Sequence, residues 1–263
     1  MIIVKIGGGN RINLPGIASD LADIHEPMLI VHGANALRDE LLQKLGLNKK
    51  IVTSQSGYSS VFSDQQTLDV MMMAYSGLRN KRLVELLQQN GINAIGLTGL
   101  DGRVIQGRRN RGIRVKENGK IKLLRDFSGK PQSVNEQLLN FLLDQCYTPV
   151  LTVPIIDENG TAINSENDDI VALLQTVFKA HIVLQLIEAP GLLEDIADEH
   201  SLIEQLSQQE LARREAAAEG RMKRKLHALV KLFENSSPRV IIADGRSEHP
   251  IKDALNGKGT VIK

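Results

Sequence analysis

Short, uninterrupted runs of β-branched and aliphatic residues alternate with segments whose apolar residues recur at helical spacing. The runs that predict strands span residues 2–6, 28–31, 92–97, 149–153, 182–186, 240–243 and 260–262. The segments that predict helices span residues 36–45, 67–89, 134–143 and 168–177 and, as at least one long helix, 211–233. Strands that are apolar on both faces are typical of a parallel sheet with helices on either side. The sequence therefore predicts an α/β fold, a three-layer α/β/α sandwich with a mainly parallel central sheet.

The segment around Asn118-Gly119 departs from this alternation. Asn-Gly is a favoured two-residue hairpin turn. Ile113 and Val115 before it, and Ile121 and Leu123 after it, alternate with polar residues. The pattern predicts a β-hairpin with one polar face.

The length of 263 residues is enough for a substantial core, as one large domain or two closely joined lobes. No linker rich in proline, glycine or serine separates two units, so we expect one continuous domain whose lobes, 1–170 and 171–263, meet near residue 170. The net charge of +1 gives no indication of a nucleic acid or membrane partner.

The sole cysteine, Cys146, cannot form an intramolecular disulfide, which is typical of a reducing compartment. No apolar stretch approaches the ~20 residues that a bilayer-spanning helix needs. We therefore expect a cytoplasmic protein.

Lys5 and three glycines end the first predicted strand. In open α/β sheets, ligands bind at the carboxyl ends of the strands. Gly7, Gly8 and Gly9 would let backbone N–H groups approach phosphate oxygens closely, while Lys5 supplies a positive charge. The run matches neither a Walker A loop nor a GxGxxG fingerprint. Taken alone, it is equally compatible with a tight turn beside an edge lysine.

Three further segments place small, amide or charged residues where predicted strands end or helices begin. They are residues 31–35 (Val-His-Gly-Ala-Asn), 164–168 (Asn-Ser-Glu-Asn-Asp) and 220–225 (Gly-Arg-Met-Lys-Arg-Lys). Each also has a purely structural interpretation. His32 would be a structural hydrogen-bonding group rather than a base, the residues before the helix at 168 would be helix caps, and the basic run would be a solvated helix face.

Together these segments resemble the acetylglutamate kinase branch of the amino-acid kinase superfamily. The shared segments lie in the same order, at residues 5–9, 31–33, 80–81, 164 with 168, and 222–225. Longer stretches are similar to the kinases of lysine and arginine biosynthesis that act on an amino acid attached to the carrier protein LysW, at residues 77–88, 94–103, 220–225 and 243–246. The resemblance covers nearly the whole chain. It implies the amino-acid kinase fold and an ATP-dependent kinase that forms an acyl phosphate on a side-chain carboxylate.

The resemblance also implies roles for individual residues. Lys5 and Lys225 would flank the transferred phosphoryl group as catalytic residues, and Asp168 would hold the two lysines in place. The acyl acceptor would lie against Gly33, Ala34, Val61 and Asn164. ATP would bind to Gly7, Gly8, Gly9, Glu188, Pro190, Gly191 and Met222. Mg²⁺ would be held through the phosphates, with no metal site made by the protein itself.

By the same resemblance, residues 1–170 would bind the acceptor and form a homodimer, and residues 171–263 would bind ATP. Three positions depart from the family pattern. Val61 stands where the family usually has an arginine that binds the acceptor's α-carboxylate, and Ala34 replaces a glycine. Ile187-Glu188 replaces a small polar pair before the nucleotide loop. These departures point to a changed acceptor or a weakened enzyme.

Residues 103–125 carry nine basic side chains and one acid. The resemblance implies that a positive surface here, with Arg108, Arg109, Arg111 and Arg114, receives a small acidic carrier protein by electrostatic steering. The alternative is a solvated hairpin whose charges protect its edges. The stretch has no aromatic residue on which a base could stack, which argues against nucleic acid.

The sequence leaves three functions in competition. The first is a kinase for carrier-bound glutamate or 2-aminoadipate, which the basic hairpin favours. The second is a kinase for free N-acetylglutamate. The third is a non-catalytic relative that binds nucleotide or metabolite, which Val61 and Ile187-Glu188 suggest and which Lys5 and Lys225 argue against.

Overall fold

The computed structural model describes residues 1–53, 59–117 and 120–263, and its centre is an eight-stranded sheet. From one edge to the other the strands are β14 (Gln205–Leu206), β16 (Thr260–Ile262), β15 (Arg239–Asp244), β13 (Ile182–Ile187), β1 (Ile2–Ile6), β2 (Met28–His32), β10 (Thr148–Thr152) and β5 (Ala94–Thr98). Every neighbouring pair is parallel except β15 with β16. The predicted mainly parallel sheet is confirmed.

Helices cover both faces of this sheet. They are α1 (Leu14–Leu21), α2 (Asn35–Lys44), α3 (Gln65–Met71), a π-helical segment (Met72–Arg79), α4 (Asn80–Gln89), α5 (Glu136–Asp144), α6 (Asn167–Phe178), α7 (Gln208–Ala217), α8 (Gly220–Lys231) and α9 (Pro250–Leu255). Successive residues of β1 enter opposite cores: Ile3 packs with α6 and α8, whereas Val4 packs with α1, α4 and α9. Two apolar cores separated by one sheet make the predicted three-layer sandwich, which is confirmed.

Two helical predictions differ from the structure in detail. The segment 211–233 contains two helices, because Ala218 and Glu219 have extended backbones (ψ of 159° and 166°) between α7 and α8. The segment predicted to begin at residue 134 begins two residues later. Val134 is the last residue of β9 (Gly129–Val134), and the Asn135 side chain caps α5 by accepting a hydrogen bond from Leu138 N at 3.1 Å.

Smaller sheets lie beside the carboxyl end of the central one. One has four strands, in the order β12 (Ala162–Ile163), β11 (Ile155–Ile156), β6 (Ile105–Arg109) and β9. Two others are pairs, β3 (Ile51–Thr53) with β4 (Ser59–Val61), and β7 (Ile113–Glu117) with β8 (Lys120–Leu124). The β7–β8 pair is antiparallel, which confirms the predicted hairpin, while its turn residues 118–119 lie outside the described residues.

The prediction that this hairpin has one polar face is wrong. Val115 lies opposite Lys122, and Leu123 lies opposite Arg114. Paired residues project from the same face, so a two-residue turn puts the apolar residues of the two strands on opposite faces. Val115 is buried, whereas Ile121 and Leu123 are 60% and 52% exposed.

The central sheet continues across the expected lobe boundary. Strands β1, β2, β5 and β10 precede residue 170, and β13 to β16 follow it, yet β1 pairs with β13 along its full length. The assignment of acceptor binding to residues 1–170 and of ATP binding to residues 171–263 stays a prediction. Within the described ranges, no helix is long and apolar enough to cross a membrane.

Candidate active site

Lys5 and Asp168 meet at the carboxyl end of β1. Lys5 is the penultimate residue of β1, and Asp168 lies in the first turn of α6, which packs against that strand. Lys5 Nζ is 2.8 Å from Asp168 Oδ1, and both side chains are largely buried. Burial alone would raise the pKa of Asp168, but the charge and hydrogen bond of Lys5, with the charge of Lys225, outweigh it and lower that pKa.

The charge of Lys225 also acts on this carboxylate, and two ion pairs hold its helix, α8, against the start of α6. Arg224 Nη1 is 2.7 Å from Glu166 Oε1, and Lys231 Nζ is 3.7 Å from Asp169 Oδ1. Lys225 lies between these two anchors in the sequence of α8. The structure thus brings the three predicted catalytic residues, Lys5, Asp168 and Lys225, into one electrostatic group.

The glycine loop after β1 lies directly against the start of α2. Gly7 N donates to Leu186 O at 2.8 Å. A Cβ added at Gly8 would lie 2.7 Å from Ala34 N and 2.6 Å from Asn35 N, so a side chain does not fit there. Within the described chain, the N–H groups of Gly8 and Gly9 donate to no backbone or side-chain acceptor. Unused N–H groups at a strand end form a cradle for an anion.

Gly33 and Ala34 complete the wall opposite this loop. A Cβ at Gly33 would lie 3.0 Å from Gly8 Cα and 3.4 Å from Asn167 Nδ2. Ala34 is buried. Asn167 was not predicted as a site residue, yet it borders Gly33 and its buried Oδ1 has no hydrogen-bond partner in the described chain.

His32 has a structural role. It is fully buried, its Nε2 is 3.1 Å from Asn80 Nδ2, and its Nδ1 is 3.3 Å from Gly33 O. Burial lowers its pKa to about 3, so the ring is neutral near pH 7. The same Asn80 amide donates to Val150 O at 3.0 Å, and this network joins β2, β10 and α4. The structural interpretation of His32 fits these contacts.

Asn164 shortly precedes α6 and lines a large open cavity. Its side-chain amide donates to Ser63 Oγ at 3.0 Å, and its backbone N donates to Phe127 O at 2.7 Å. Val61 and Asn164 both line this cavity of about 750 Å³. Among the described residues, Lys5, Asp168, Gly33 and the glycine loop do not line this cavity, but Glu166 and Asp169, which flank Asp168 in the sequence, do.

Asp126 links segments that border the cavity, and it was not predicted from the sequence. This carboxylate, 2% exposed, accepts from Ser63 N at 3.1 Å and from Ser128 Oγ at 2.6 Å. It thereby ties the loop after β4 to β9 and, through Ser63, to Asn164. The available signal was weak: an aspartate two residues before a serine, typical of an Asx turn.

The predicted nucleotide residues lie in two places. Glu188 follows β13 and accepts from Arg11 N at 2.6 Å, and a Cβ on Gly9 would lie 2.0 Å from Glu188 Cδ. Gly191 packs against Thr260, whose hydroxyl accepts from Leu192 N at 2.8 Å. Pro190 is half-buried and Met222 packs at the edge of a core. The structure places Glu188 at the glycine loop and Gly191 beside Thr260.

The four predicted carrier-surface arginines have different surroundings. Arg108 is exposed. Arg109 stacks on the Phe127 ring at 4.1 Å and donates to Asp126 O at 2.9 Å, so its guanidinium is held by the protein itself. Arg111 and Arg114 are exposed and line the 750 Å³ cavity.

Comparison with known proteins decides the family. The sequence profile described as the amino acid kinase family matches residues 1–244. The [LysW]-aminoadipate kinase of Thermus thermophilus is 42% identical over 269 residues, with both chains covered completely. The chain belongs to the amino acid kinase family.

Further members of this family agree in length and name. The [LysW]-aminoadipate kinase of Deinococcus radiodurans is 41% identical and covers 100% of this chain and 91% of its own. A putative [LysW]-aminoadipate/[LysW]-glutamate kinase of Nitrosopumilus maritimus is 32% identical, covering 97% and 96%. The expected enzyme class, a kinase that transfers phosphate to a carboxyl group, is thereby confirmed.

Solved structures of lower identity confirm the amino acid kinase fold. The isopentenyl phosphate kinase of T. acidophilum superimposes with a TM-score of 0.63 at 15% identity, covering both chains completely. The N-acetylglutamate synthase of Neisseria gonorrhoeae superimposes with a TM-score of 0.78 at 20% identity, covering 99% of this chain and 58% of its own.

As an amino acid kinase, this chain uses ATP, and its residues suit an anionic phosphate group. Lys5, Lys225 and the free N–H groups of the glycine loop offer positive charge and donors on one side of the site. In the described ranges, no three His, Cys, Asp or Glu side chains group together in a way that suits a metal ion.

Proposed function

We propose that this chain phosphorylates the side-chain carboxylate of 2-aminoadipate attached to a small acidic carrier protein of the LysW type, with ATP as donor. Two relatives above 40% identity, each matching 100% of this chain, carry the name [LysW]-aminoadipate kinase. More distant archaeal relatives are named for both aminoadipate and glutamate. Carrier-bound glutamate is therefore the second acceptor to test.

The observation that carries this proposal is the group formed by Lys5, Asp168 and Lys225 at the end of β1. An acceptor carboxylate has a pKa near ~4.3, so it is ionised at neutral pH and needs no general base. Its difficulty is electrostatic, because an anion must approach the γ-phosphate of ATP. Lys5, paired with Asp168, and Lys225, whose charge acts on the same carboxylate, would offset that repulsion.

In the proposed reaction these residues position the reactants and stabilise charge, and they form no covalent bond. A carboxylate oxygen of the acceptor forms a bond to the γ-phosphorus, and the bond from that phosphorus to the bridging oxygen of ADP breaks. The products are the acyl phosphate and ADP. Mg²⁺ would be bound through the phosphate oxygens and would supply further charge neutralisation when present. Lys5 and Lys225 would contact the transferred phosphoryl group, and Asp168 would hold both ammonium groups in position.

The carrier would dock beside the 750 Å³ cavity, on the basic hairpin. Arg108, Arg111 and Arg114 are exposed there, and the apolar Ile121 and Leu123 are exposed beside them. Exposed cations steer an acidic partner, and exposed aliphatic groups add contact area. Arg109 contributes less, because Phe127 and Asp126 already hold it.

A homodimer formed by the N-terminal half belongs to the same proposal. Met73 and Leu78, on the π-helical segment, are 53% and 46% exposed, which suits a surface that a second copy covers. Light scattering after gel filtration would test the dimer. A monomer at working concentration would reject it.

The function is tested by measuring ADP release and trapping the acyl phosphate as its hydroxamate. The acceptors are carrier-bound aminoadipate, carrier-bound glutamate and free N-acetylglutamate, with Lys225→Ala as the inactive control. Turnover of a carrier-bound acceptor that Lys225→Ala abolishes supports the proposal. Preference for free N-acetylglutamate would replace it with the second function, and ATP binding without any turnover would favour the non-catalytic one.

A further inference from the structure

The acceptor cavity carries positive charge that the protein does not neutralise. Arg111, Arg114 and Lys130 line it, and within the described residues their charged side-chain groups make no hydrogen bond or ion pair. The two carboxylates in the lining are already engaged: Glu166 pairs with Arg224 at 2.7 Å and Asp169 with Lys231 at 3.7 Å. Uncompensated cations in one concavity favour an anionic ligand.

A buried hydroxyl in the same lining also lacks a partner. Ser165 is only 8% exposed, and its Oγ makes no hydrogen bond in the described chain. A buried hydroxyl without a partner costs free energy unless something else satisfies it. Because Ser165 follows Asn164 and lines the cavity, a ligand in this cavity is a candidate partner for the hydroxyl.

The backbone beside two of the three cations is tied to the segment that carries this hydroxyl. Asn110 N donates to Ser128 O at 2.8 Å and Asn110 Nδ2 donates to Ser128 Oγ at 2.9 Å, which anchors the residue before Arg111. Gly129 N donates to Asn164 O at 2.9 Å, which anchors the residue before Lys130. Both anchors converge on the backbone around Asn164 and Ser165. Arg114 lies farther along the hairpin strand.

We propose that Ser165, Arg111 and Lys130 form a subsite for the acceptor's second carboxylate, the α-carboxylate that is not phosphorylated. This rests on the proposed function, in which the acceptor is an amino acid with two carboxylates. One must reach Lys5 and Lys225, and the other needs its own cations. Val61 in the same lining offers it no donor, and Arg79 is directed elsewhere, since its Nη2 donates to Gly9 O at 3.0 Å.

The subsite is tested by the affinity for two carrier-bound acceptors that differ in one group, aminoadipate and its α-carboxamide, measured by calorimetry without ATP. The ratio of the two dissociation constants cancels whatever the carrier itself contributes. Losing one charge-assisted hydrogen bond costs roughly 10- to 100-fold. We expect Ser165→Ala, Arg111→Gln and Lys130→Gln each to reduce the preference for the carboxylate by about tenfold or more.

Three further variants keep the test specific. Arg125→Gln removes an exposed charge near Asp126 but outside the cavity lining, and it should leave the ratio unchanged. Ser165→Thr keeps the hydroxyl and should restore most of the preference that Ser165→Ala loses. Val61→Arg in the Lys130→Gln background should regain preference, because both residues line the same cavity.

The outcomes separate this inference from the proposed function. If both acceptors lose affinity equally in the variants, these residues bind the carrier and the inference is overturned. It is also overturned if all variants keep the wild-type ratio, or if the wild-type protein binds neither acceptor. Binding with the expected ratios but no phosphoryl transfer would uphold the subsite and reject the kinase reaction instead.

Discussion

The proposed active site has two sides that are built differently: the phosphoryl side, proposed to bind the transferred phosphoryl group, and the acceptor side, proposed to bind the acyl acceptor. The phosphoryl side, with Lys5, the glycine loop and Asp168, sits on the end of the central sheet between two apolar cores, and its charges are already paired. The acceptor side is built from short strands and a polar network around Asp126, and its lining keeps cations without partners. A paired and packed site is ready to stabilise charge in the transition state, whereas unpaired cations select the ligand that neutralises them.

The largest effect is expected on the phosphoryl side. Lys5→Met should lower kcat by about 100- to 1,000-fold, as the loss of one transition-state donor does elsewhere. Lys81→Met is the matched control, because that ammonium donates to Gly96 O at 3.1 Å and is not among the proposed catalytic residues. Single-turnover rates with carrier-bound acceptor measure the effect. An equal loss of rate in both variants would show that Lys5 contributes no more to catalysis than Lys81 does.

Gly8→Ala should come next. The added methyl group would overlap Ala34 N and Asn35 N, so the loop must move away from α2. A displacement of about 1 Å costs up to about 100-fold in rate. Steady-state kinetics should show a raised KM for ATP together with a lowered kcat. Gly46→Ala, whose added Cβ meets nothing within 4 Å but whose φ is +69°, controls for general destabilisation.

Asp126→Ala should separate the two sides. It leaves Ser63 N and Ser128 without their acceptor, which costs on the order of 1–3 kcal/mol of unfolding free energy. It should raise KM for the acceptor while the dissociation constant for ATP stays constant. Asp126→Asn, which keeps one acceptor oxygen, should recover part of both losses. A matching change in ATP affinity would show that the two sides are not independent.

The burial of His32 predicts that the free energy of unfolding depends on pH. The folded-state pKa of His32 is about 3, whereas the unfolded chain protonates this ring near ~6.5. The unfolded state therefore binds one more proton between these values, and stability falls as pH falls through that window. The slope from this group is about 1.4 kcal/mol per pH unit. Urea unfolding from pH 7 to pH 4 should show a shallower slope in His32→Gln.

The smallest effect is expected at the rim of the acceptor side. Arg108→Gln should raise KM for the carrier-bound acceptor only a few-fold at low salt, and not at high salt, because exposed charges act through steering. The activity with N-acetylglutamate, if present, should not change. A salt-independent loss would mean that Arg108 makes a desolvated contact with the carrier.

The same contrast explains what could be predicted from the sequence. Strand β1, the glycine loop and Lys5 are contiguous, so the local pattern placed them together at a strand end, although it was equally compatible with a tight turn beside an edge lysine. The family resemblance further supplied Asp168 and Lys225. Lys225 lies on α8, which is held against the start of α6 by the ion pairs of Arg224 and Lys231. These predictions depend on regular elements that pack on one sheet.

The acceptor side resisted prediction because its contacts join distant residues. Asp126 accepts from Ser63 across 63 positions, and no local pattern marks that pairing. The hairpin was found from its Asn-Gly turn, but its faces were misassigned because apolar alternation in each strand does not give the register between them. That Arg111 and Lys130 line the same cavity as Val61 could be seen only in the structure.

The position of β1 in the middle of the sheet bears on how the chain could be divided and reassembled. A cut at residues 179–181, between α6 and β13, would leave four strands of the sheet on each fragment, with β1 and β13 as bare apolar edges. Unpaired edges of this kind recruit a partner strand. Each half alone should therefore aggregate through its bare edge strand. Co-expressed halves should reconstitute the enzyme, because pairing β1 with β13 restores the strand that carries Lys5.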